Sequence, residues 1–515
     1  MSATEFHPAN FARSKVFRRS LAFLAMLGVA LLLRATHLTV WDSWDYATAA
    51  LRGESISLFL GRWWFVATMR AAYELGHVLF GLAPLKGYLA MQLASALMAA
   101  GAIVVLMAWT YRLTESAAAE ILVPLLLLPG PLLGIYASAV MTESMTLLFL
   151  TAALLAWENV LASARQGVPP AIANGAVLWA FGGGVLFGIV IDIREPAVLF
   201  SAWPIISCFV DRPVGRWKLL GVAITGTLLT LAVGIIGSAA WFPGGFQEYW
   251  QSILSWTDAM VRQRQRFPVQ IFENLKFLFV SIGITTAVGT LILPFAIFYV
   301  FVRRSRLRWL VLAMVPYALA LLANHDLMDN PQYCIPLIWV LSPAIAFAVA
   351  DFLIERRSNY HWRLSVVAGV VALLGMSFVV AGWQNLQTYY FEDNKRVERV
   401  YDALQAIPQT STEIAPVVVP GIGFPMANHL MRMDQKNFTV VTSGWDFPHN
   451  RLAQIVAEYV RQGREVYVNV EGHSKERQSR DSGEWAETVS VAKQYEWDRR
   501  TWPLVRLIPS EAKGR

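Results

Sequence analysis

Apolar runs of about 20 residues alternate with short polar segments along the first three quarters of this chain. A bilayer-crossing helix needs about 20 mostly apolar residues. That criterion predicts spans at 20–40, 86–110, 118–137, 144–163, 173–192, 196–210, 218–240, 273–302, 308–324, 333–352 and 363–383. After residue 384 the pattern changes. The runs 415-APVVVP-420, 438-FTVVT-442 and 465-EVYVNV-470 read as buried strands. Between the last two, Leu452, Ile455, Val456, Tyr459 and Val460 recur at i, i+3, i+4, i+7 and i+8 within 450–463, with Asn450 as N-cap and Gly463 past the end. Strand–helix–strand of this length predicts a βαβ unit. The expected architecture is a polytopic α-helical membrane protein with about 11 transmembrane helices and a small extracytoplasmic α/β C-terminal domain. Its parts are a cytoplasmic N-terminus (1–19), a membrane domain with its loops (20–383) and the C-terminal domain (384–515).

Charge gives the spans a direction. The basic segments 12-ARSKVFRR-19, Arg112, Arg165, 211-DRPVGRWK-218, 303-RRSRLR-308 and 356-RRSNYHWR-363 all fall on the N-terminal side if every span is real, and short cytoplasmic loops are the ones enriched in Lys and Arg. The opposite side receives 41–85, 138–143, 192-DIREP-196, 241–272, 325-HDLMDNPQY-333 and the tail. Composition agrees with embedding: 56% of the 515 residues are hydrophobic and 15% charged, against about 25% charged in soluble domains. Mean hydropathy is +0.45. The net charge of +7 is accounted for by cytoplasmic arginines, so no nucleic-acid partner is expected. No small-residue cleavage site follows the first apolar run, so it reads as a retained span. Cys208 and Cys334 fall on opposite faces, which argues against a disulfide. The segment 419-VPGIGFP-425 lacks the GxGxxG fingerprint and reads as a strand-to-helix turn.

The candidate chemistry lies on the outer side. Asp42 and Asp45 stand in 41-WDSWDYATAALRG-53 beside Trp44 and Tyr46. They either cap a helix starting at Ser43, or form a partly desolvated acid of raised pKa able to take a proton from an acceptor hydroxyl. On the second reading Trp44 and Tyr46 offer sugar-stacking and hydrogen-bonding surface. Glu143 begins a span, where it suits the helix dipole or supplies a second catalytic acid. Asp192, Arg194 and Glu195 read as a buried ion-pair set or, through Arg194, as a phosphate ligand. His325 and Asp326 are substrate-binding candidates, with Asp329 close by. A divalent cation held by some of Asp42, Glu143, His325 and Asp326 stays open, and no other cofactor is expected. Arg262, Arg264 and Arg266 break the positive-inside bias and read as lipid-headgroup or donor-phosphate contacts.

These motifs, in this order and on one side, resemble the GT-C superfamily of integral-membrane glycosyltransferases, particularly the aminoarabinose- and protein O-mannosyltransferase branches. The matching pieces are 42-DSWDYATAALRG-53, 142-TESMTLLFLTAALLAW-157 and 329-DNPQYCIPLIWVLSPAIAFAVA-350. Two departures stand out. The family's adjacent acidic pair is split here, with Ser43 after Asp42 and the second acid at Asp45, and the arginine of its R-Y-x-x-P motif is replaced by Gln332, while Tyr333 and Pro336 match. The resemblance implies an inverting transfer of a monosaccharide from a polyprenyl-phosphate donor to a lipid, glycan or protein hydroxyl. Asp42 is then the base, with Asp45 second, and Arg194 or the 262–266 arginines replace the missing phosphate ligand. The short retained N-terminus and the lack of an organelle signal lead to the expectation of a multi-pass protein of the bacterial inner membrane, with the C-terminal domain periplasmic. The competing readings are a transporter or flippase for a lipid-linked or anionic substrate, and a non-catalytic envelope scaffold. The acids cluster at one surface without a half-to-half repeat, which disfavours the transporter.

Overall fold

The computed structural model describes residues 14–38, 41–56, 60–165, 170–266, 271–272, 274–275, 289–323, 331–355, 392–408, 415–420, 424–433, 436–441, 452–471 and 482–508. The described residues of Met1–Arg34, Gly53–Leu75 and Leu89–Trp383 form one compact unit, and those of Ala35–Arg52, Gly76–Tyr88 and Gln384–Arg515 form a second.

The first unit is helical. Among the described residues five helices are long and apolar enough to cross a membrane: Pro84–Thr114, Thr142–Ser163, Gly175–Ile193, Arg216–Trp241 and Gln332–Phe352. They match the predicted spans 86–110, 144–163, 173–192, 218–240 and 333–352. Several other predicted spans take different forms among the described residues. The 118–137 segment is not one straight span but two helices, Ala117–Leu127 and Leu132–Ser138, bent by 81°. Pro129-Gly130-Pro131 causes the break, because proline removes a backbone donor and clashes with the preceding turn. The 196–210 segment is a 3-10 turn, Glu195–Ser201, followed by a nine-residue helix, Ala202–Val210. The 308–324 segment divides at Met314 into Leu307–Ala313 and Val315–Leu322. Of 273–302, a helix is described over Gly289–Val302. The first apolar run forms Lys15–Leu32, and the 363–383 span lies outside the described residues.

Two outer loops of the sequence reading also contain helices. The 41–85 segment holds Trp41–Arg52 and Trp63–Phe80, and the 241–272 segment holds Gly245–Arg266. Trp and Tyr with spaced polar residues allow one apolar face per turn, too short or too polar to span.

Small residues set the packing of the spanning helices. A Cβ at Gly188 would lie 2.7 Å from Thr227 O and one at Gly226 would lie 2.6 Å from Phe181 O, while one at Gly184 would overlap Ala223. Gly184 and Gly188 thus form one face, four residues apart, on which the Pro170–Ile193 and Arg216–Trp241 helices meet backbone to backbone. Thr227 Oγ1 donates to Gly184 O across this contact at 3.0 Å. This is the small-residue packing expected where lipid offers no hydrophobic drive between helices. It fixes the end of the Pro170–Ile193 helix, from which Asp192 and Arg194 project. Neither Cys208 nor Cys334 is in a disulfide.

The second unit contains a five-stranded sheet. Its strands are β1 (Val417–Val419), β2 (Thr439–Val440), β3 (Val466–Asn469), β4 (Glu496–Asp498) and β5 (Leu504–Ile508), in the order β2-β1-β3-β5-β4. β1 pairs in parallel with β2 and β3, and β5 pairs antiparallel with β3 and β4. Val417 faces Val466, and Val468 faces Val505. β1, β2 and β3 lie within the three valine-rich runs, and helix Leu452–Arg461 lies within the periodic segment 450–463. Val456 and Val460 of that helix pack on Val417, Val466 and Val468. The continuous valine runs reflect strands buried on both faces. Residues 421–423 of the expected strand-to-helix turn lie outside the described residues.

Candidate functional site

In the first unit, Glu143 occupies the first turn of the Thr142–Arg165 helix, where a carboxylate complements exposed backbone N–H groups. Arg194 follows the end of the Pro170–Ile193 helix in extended conformation. The two meet: Arg194 Nη1 donates to Glu143 Oε1 at 2.7 Å, with both side chains only 3% exposed. The sequence grouped Arg194 with Asp192 and Glu195, and the fold pairs it instead with an acid 51 residues away. The guanidinium also lies 4.8 Å from the ring centre of Tyr333, a cation–π contact. Tyr317 donates to Tyr333 O (3.1 Å), and Tyr136 donates to Gln332 Oε1 (3.0 Å). Arg194 therefore stands over the tyrosine that follows Gln332, the position where the resembled motif carries arginine. Its Nε and Nη2, and Oε2 of Glu143, are buried with no hydrogen-bond partner among the described residues. Buried charged groups are ordinarily saturated with hydrogen bonds, so this pair retains unused donors and an unused acceptor.

Asp192 and Glu195 serve a neighbouring turn. The backbone N–H of Trp64, in the first turn of the Trp63–Phe80 helix, donates to Asp192 Oδ2 at 3.1 Å. Glu195 Oε2 lies 3.8 Å from Arg62 Nη2, and Tyr249 donates to Leu60 O at 3.0 Å. Burial pushes the Tyr249 phenol up to about 12, with the charge of Asp192 acting in the same direction. These contacts pin the turn Leu60–Trp64. Arg62 has a positive φ of 50°, a backbone conformation that needs such support.

In the second unit, Asp42 and Asp45 lie on the Trp41–Arg52 helix. The helix begins at Trp41, so Asp42 is a first-turn acid and not the N-cap of a helix starting at Ser43. Three residues apart, the two carboxylates share one face. Asp45 is pushed up to about 7, first by burial and then by the charge of Asp42, against the opposing charge of Arg432. Trp44 and Tyr46 are 2% and 0% exposed. Trp44 stacks on Tyr401 (ring centres 5.3 Å apart) and meets His429 edge-on (5.0 Å). Their surfaces are taken up by packing, so neither presents a face for sugar stacking.

His429 is fully buried, and that burial lowers its pKa to about 4, leaving the ring neutral. Its Nδ1 is 2.7 Å from Thr48 Oγ1, and Thr48 Oγ1 donates to Trp44 O at 2.7 Å. The sequence reading did not single out Thr48, His429, Arg432, Arg62 or Tyr317. Each acts through partners distant in sequence, and a lone His or Arg on an amphipathic helix carries no local signal.

The other expected residues are placed less fully. Arg262, Arg264 and Arg266 fall on the last turns of the Gly245–Arg266 helix, and their side chains lie outside the described residues, as do His325, Asp326 and Asp329. Among the described residues no group of three or more His, Cys, Asp or Glu side chains is arranged to hold a metal. Glu143 spends Oε1 on Arg194.

No protein-family profile matches this chain, and no curated protein sequence does. Solved structures do. The Archaeoglobus fulgidus oligosaccharyltransferase, in complex with Zn and sulfate, is similar over 96% of this chain and 73% of its own, with a TM-score of 0.55 at 11% identity. AglB from the same organism, in complex with an inhibitory peptide and a dolichol-phosphate, is similar over 94% and 73%, with a TM-score of 0.51 at 10% identity. ArnT from Cupriavidus metallidurans, bound to undecaprenyl phosphate, is similar over 96% of this chain and 97% of its own, with a TM-score of 0.51 at 14% identity. Similarity along nearly the whole chain to both an oligosaccharyltransferase and ArnT, together with the apolar helices, gives this protein the fold of the GT-C membrane glycosyltransferases.

Proposed function

We propose that this protein is an inverting membrane glycosyltransferase that moves a monosaccharide from a polyprenyl-phosphate donor to an acceptor hydroxyl of a lipid, glycan or protein. The observation that carries the reading is Arg194. It is a fully buried guanidinium with two nitrogens lacking hydrogen-bond partners among the described residues, standing over Tyr333 beside the Gln332 departure. A guanidinium fork suits a phosphate oxygen pair. The GT-C fold, and the undecaprenyl phosphate and dolichol-phosphate bound by two of its similar structures, support a lipid phosphate as the ligand.

In the proposed reaction Asp42, or Asp45 as second choice, takes the proton of the acceptor hydroxyl. The acceptor oxygen bonds to the anomeric carbon while the bond from that carbon to the phosphate oxygen breaks, and polyprenyl phosphate leaves with the electron pair. Inversion follows from a single displacement. Arg194 stabilises the charge that grows on the leaving phosphate, the interaction worth most where water is excluded. Arg262, Arg264 and Arg266 are proposed as further phosphate contacts, and His325, Asp326 and Tyr333 as substrate contacts. Glu143 orients Arg194 through Oε1, and its Oε2 is proposed to accept a hydrogen bond from a sugar hydroxyl. With Glu143 so engaged, the mechanism routes no step through a metal.

A bacterial inner-membrane location is proposed with it, and the basic segments support a cytoplasmic N-terminus with outward placement of the acids and of the 384–515 domain. The test uses purified full-length protein and undecaprenyl phosphate as the probe. Wild type is expected to bind it and to transfer sugar from undecaprenyl-phosphate-linked donors. Retention of full transfer by both Asp42→Asn and Asp45→Asn would overturn the mechanism, and lipid translocation without transfer would favour a flippase.

A further inference from the structure

The helix that carries Asp42 and Asp45 is held from a point 381 residues further along the chain. Thr48 lies two turns into that helix, and His429 sits in the middle of Phe424–Met433. A threonine has one hydroxyl proton. Thr48 donates it to Trp44 O at 2.7 Å, so its oxygen must accept from His429 Nδ1 at 2.7 Å. The neutral ring then carries its proton on Nδ1, and Nε2 is an acceptor. Nε2 is buried and has no hydrogen-bond partner among the described residues, so the polar recognition made by this ring runs through Nδ1. Around the bond, His429 packs edge-on against Trp44, which also meets the rings of Tyr401 and Tyr88. His37 joins through Tyr401 (4.8 Å) and the Tyr88 hydroxyl (2.9 Å). One turn beyond His429, the backbone oxygen of Arg432 accepts from Arg52 at 3.3 Å. The acid-bearing helix is thus gripped in its middle and at its end by one ten-residue helix.

We infer that the Phe424–Met433 helix is a positioning element for the acid-bearing helix, and that His429 fixes its rotation and height through the Nδ1–H donor to Thr48. The inference rests on the reading of Asp42 and Asp45 given under Proposed function. On it, the segment after residue 384 is part of the catalytic apparatus rather than an appended module. Asp45 lies one turn and Asp42 nearly two turns before Thr48, both on the rigid element it anchors, and a displacement near 1 Å at a reacting group costs about 100-fold in rate.

The test separates the two ring nitrogens. Asparagine places its amide donor near the Nδ1 position, glutamine near Nε2, and leucine offers neither. His429→Asn, His429→Gln, His429→Leu, Thr48→Ser and Thr48→Val are compared in the full-length protein. One readout is hydrogen exchange, the other transfer from undecaprenyl-phosphate-linked mannose and aminoarabinose. His429→Gln, His429→Leu and Thr48→Val are expected to raise exchange of the 41–52 amides by about tenfold or more, with β1 and β3 unchanged. In the same variants kcat falls about 100-fold while KM stays within about twofold. His429→Asn and Thr48→Ser stay near wild type. The inference is overturned if His429→Gln matches wild type in exchange and kcat, or if His429→Asn is as damaging as His429→Leu. The Asp42→Asn/Asp45→Asn double variant is the reference. If it transfers at the wild-type rate the catalytic reading fails, and exchange alone then decides the positioning claim.

Discussion

Two arginines, Arg194 buried and Arg306 half-buried, meet buried acids near the start and toward the end of the same helix, Thr142–Arg165. Glu143 and Glu158 are separated along the axis by about 22 Å at the usual 1.5 Å per residue. At the far end Arg306 is saturated. It donates to Glu158 Oε2 at 2.8 Å and to Asp211 Oδ2 at 2.6 Å through Nη2 and 3.0 Å through Nε. Its guanidinium lies 5.1 Å from the ring centre of Trp203, which donates to Glu158 Oε1 at 3.1 Å. At the near end Arg194 makes one hydrogen bond to one acid, with the Tyr317 hydroxyl also beside it, and its Nε and Nη2 have no hydrogen-bond partner among the described residues. The same residue types thus differ in surroundings, with the Arg194 side chain 3% exposed and that of Arg306 21%. A guanidinium whose three nitrogens all meet carboxylates has little left for a ligand, so Arg306 reads as a staple. Arg194 has the capacity of a binding group.

Four experiments can break or sharpen that contrast. The largest effect belongs to Arg194→Met, which leaves the Glu143 charge buried and unpaired, a loss of about 3–5 kcal/mol. It also removes the proposed phosphate contact, for a drop in transfer of about 100- to 1,000-fold. Adding Glu143→Leu should restore the midpoint of thermal unfolding but not undecaprenyl phosphate binding. Normal binding by that double variant would reduce Arg194 to a second staple. Next, Arg306→Met should cost a comparable amount of stability, about 3–5 kcal/mol, while the folded fraction binds undecaprenyl phosphate as wild type does. Loss of specific binding per folded molecule would erase the distinction.

A third test uses like charges instead of an ion pair. The native protein holds the Asp45 proton up to about pH 7, whereas an unfolded chain releases it near 3.8. The native state binds more protons across that window, so this group's contribution to stability is full below 3.8 and is lost as pH rises through 7. Asp45→Asn should flatten the stability slope between those values, and an unchanged slope would mean that Asp45 is neither buried nor crowded by Asp42. The smallest effect is expected at Arg303 and Asp351, an exposed pair 3.6 Å apart. Arg303→Ala should leave the unfolding midpoint unchanged, because exposed pairs are screened by solvent.

The five long spans and the strands were legible because burial in lipid or in a sheet requires a contiguous apolar run, a property of consecutive residues. The acids of 41–53 were legible for the converse reason, since charge beside an apolar run is costly and stands out. The shape of the candidate site was not legible to the same degree. Hydropathy predicts 118–137 as one span, and the 81° bend at Pro129-Gly130-Pro131 depends on what the two halves pack against. Trp44 looked available for a sugar because exposure is not written in a residue's neighbours, and the fold placed Tyr401 and His429 against it.

By itself the sequence determined that this protein is built of apolar helices, that a valine-rich sheet follows, and which side chains carry charge where charge is expensive. Pairing belonged to the tertiary structure alone. Arg194 with Glu143 rather than Asp192, Arg306 between Glu158 and Asp211, and His429 on Thr48 are choices among equally charged or polar partners. Hydropathy is a sum over neighbours along the chain, whereas a hydrogen bond depends on a few tenths of an ångström between residues that only packing brings together.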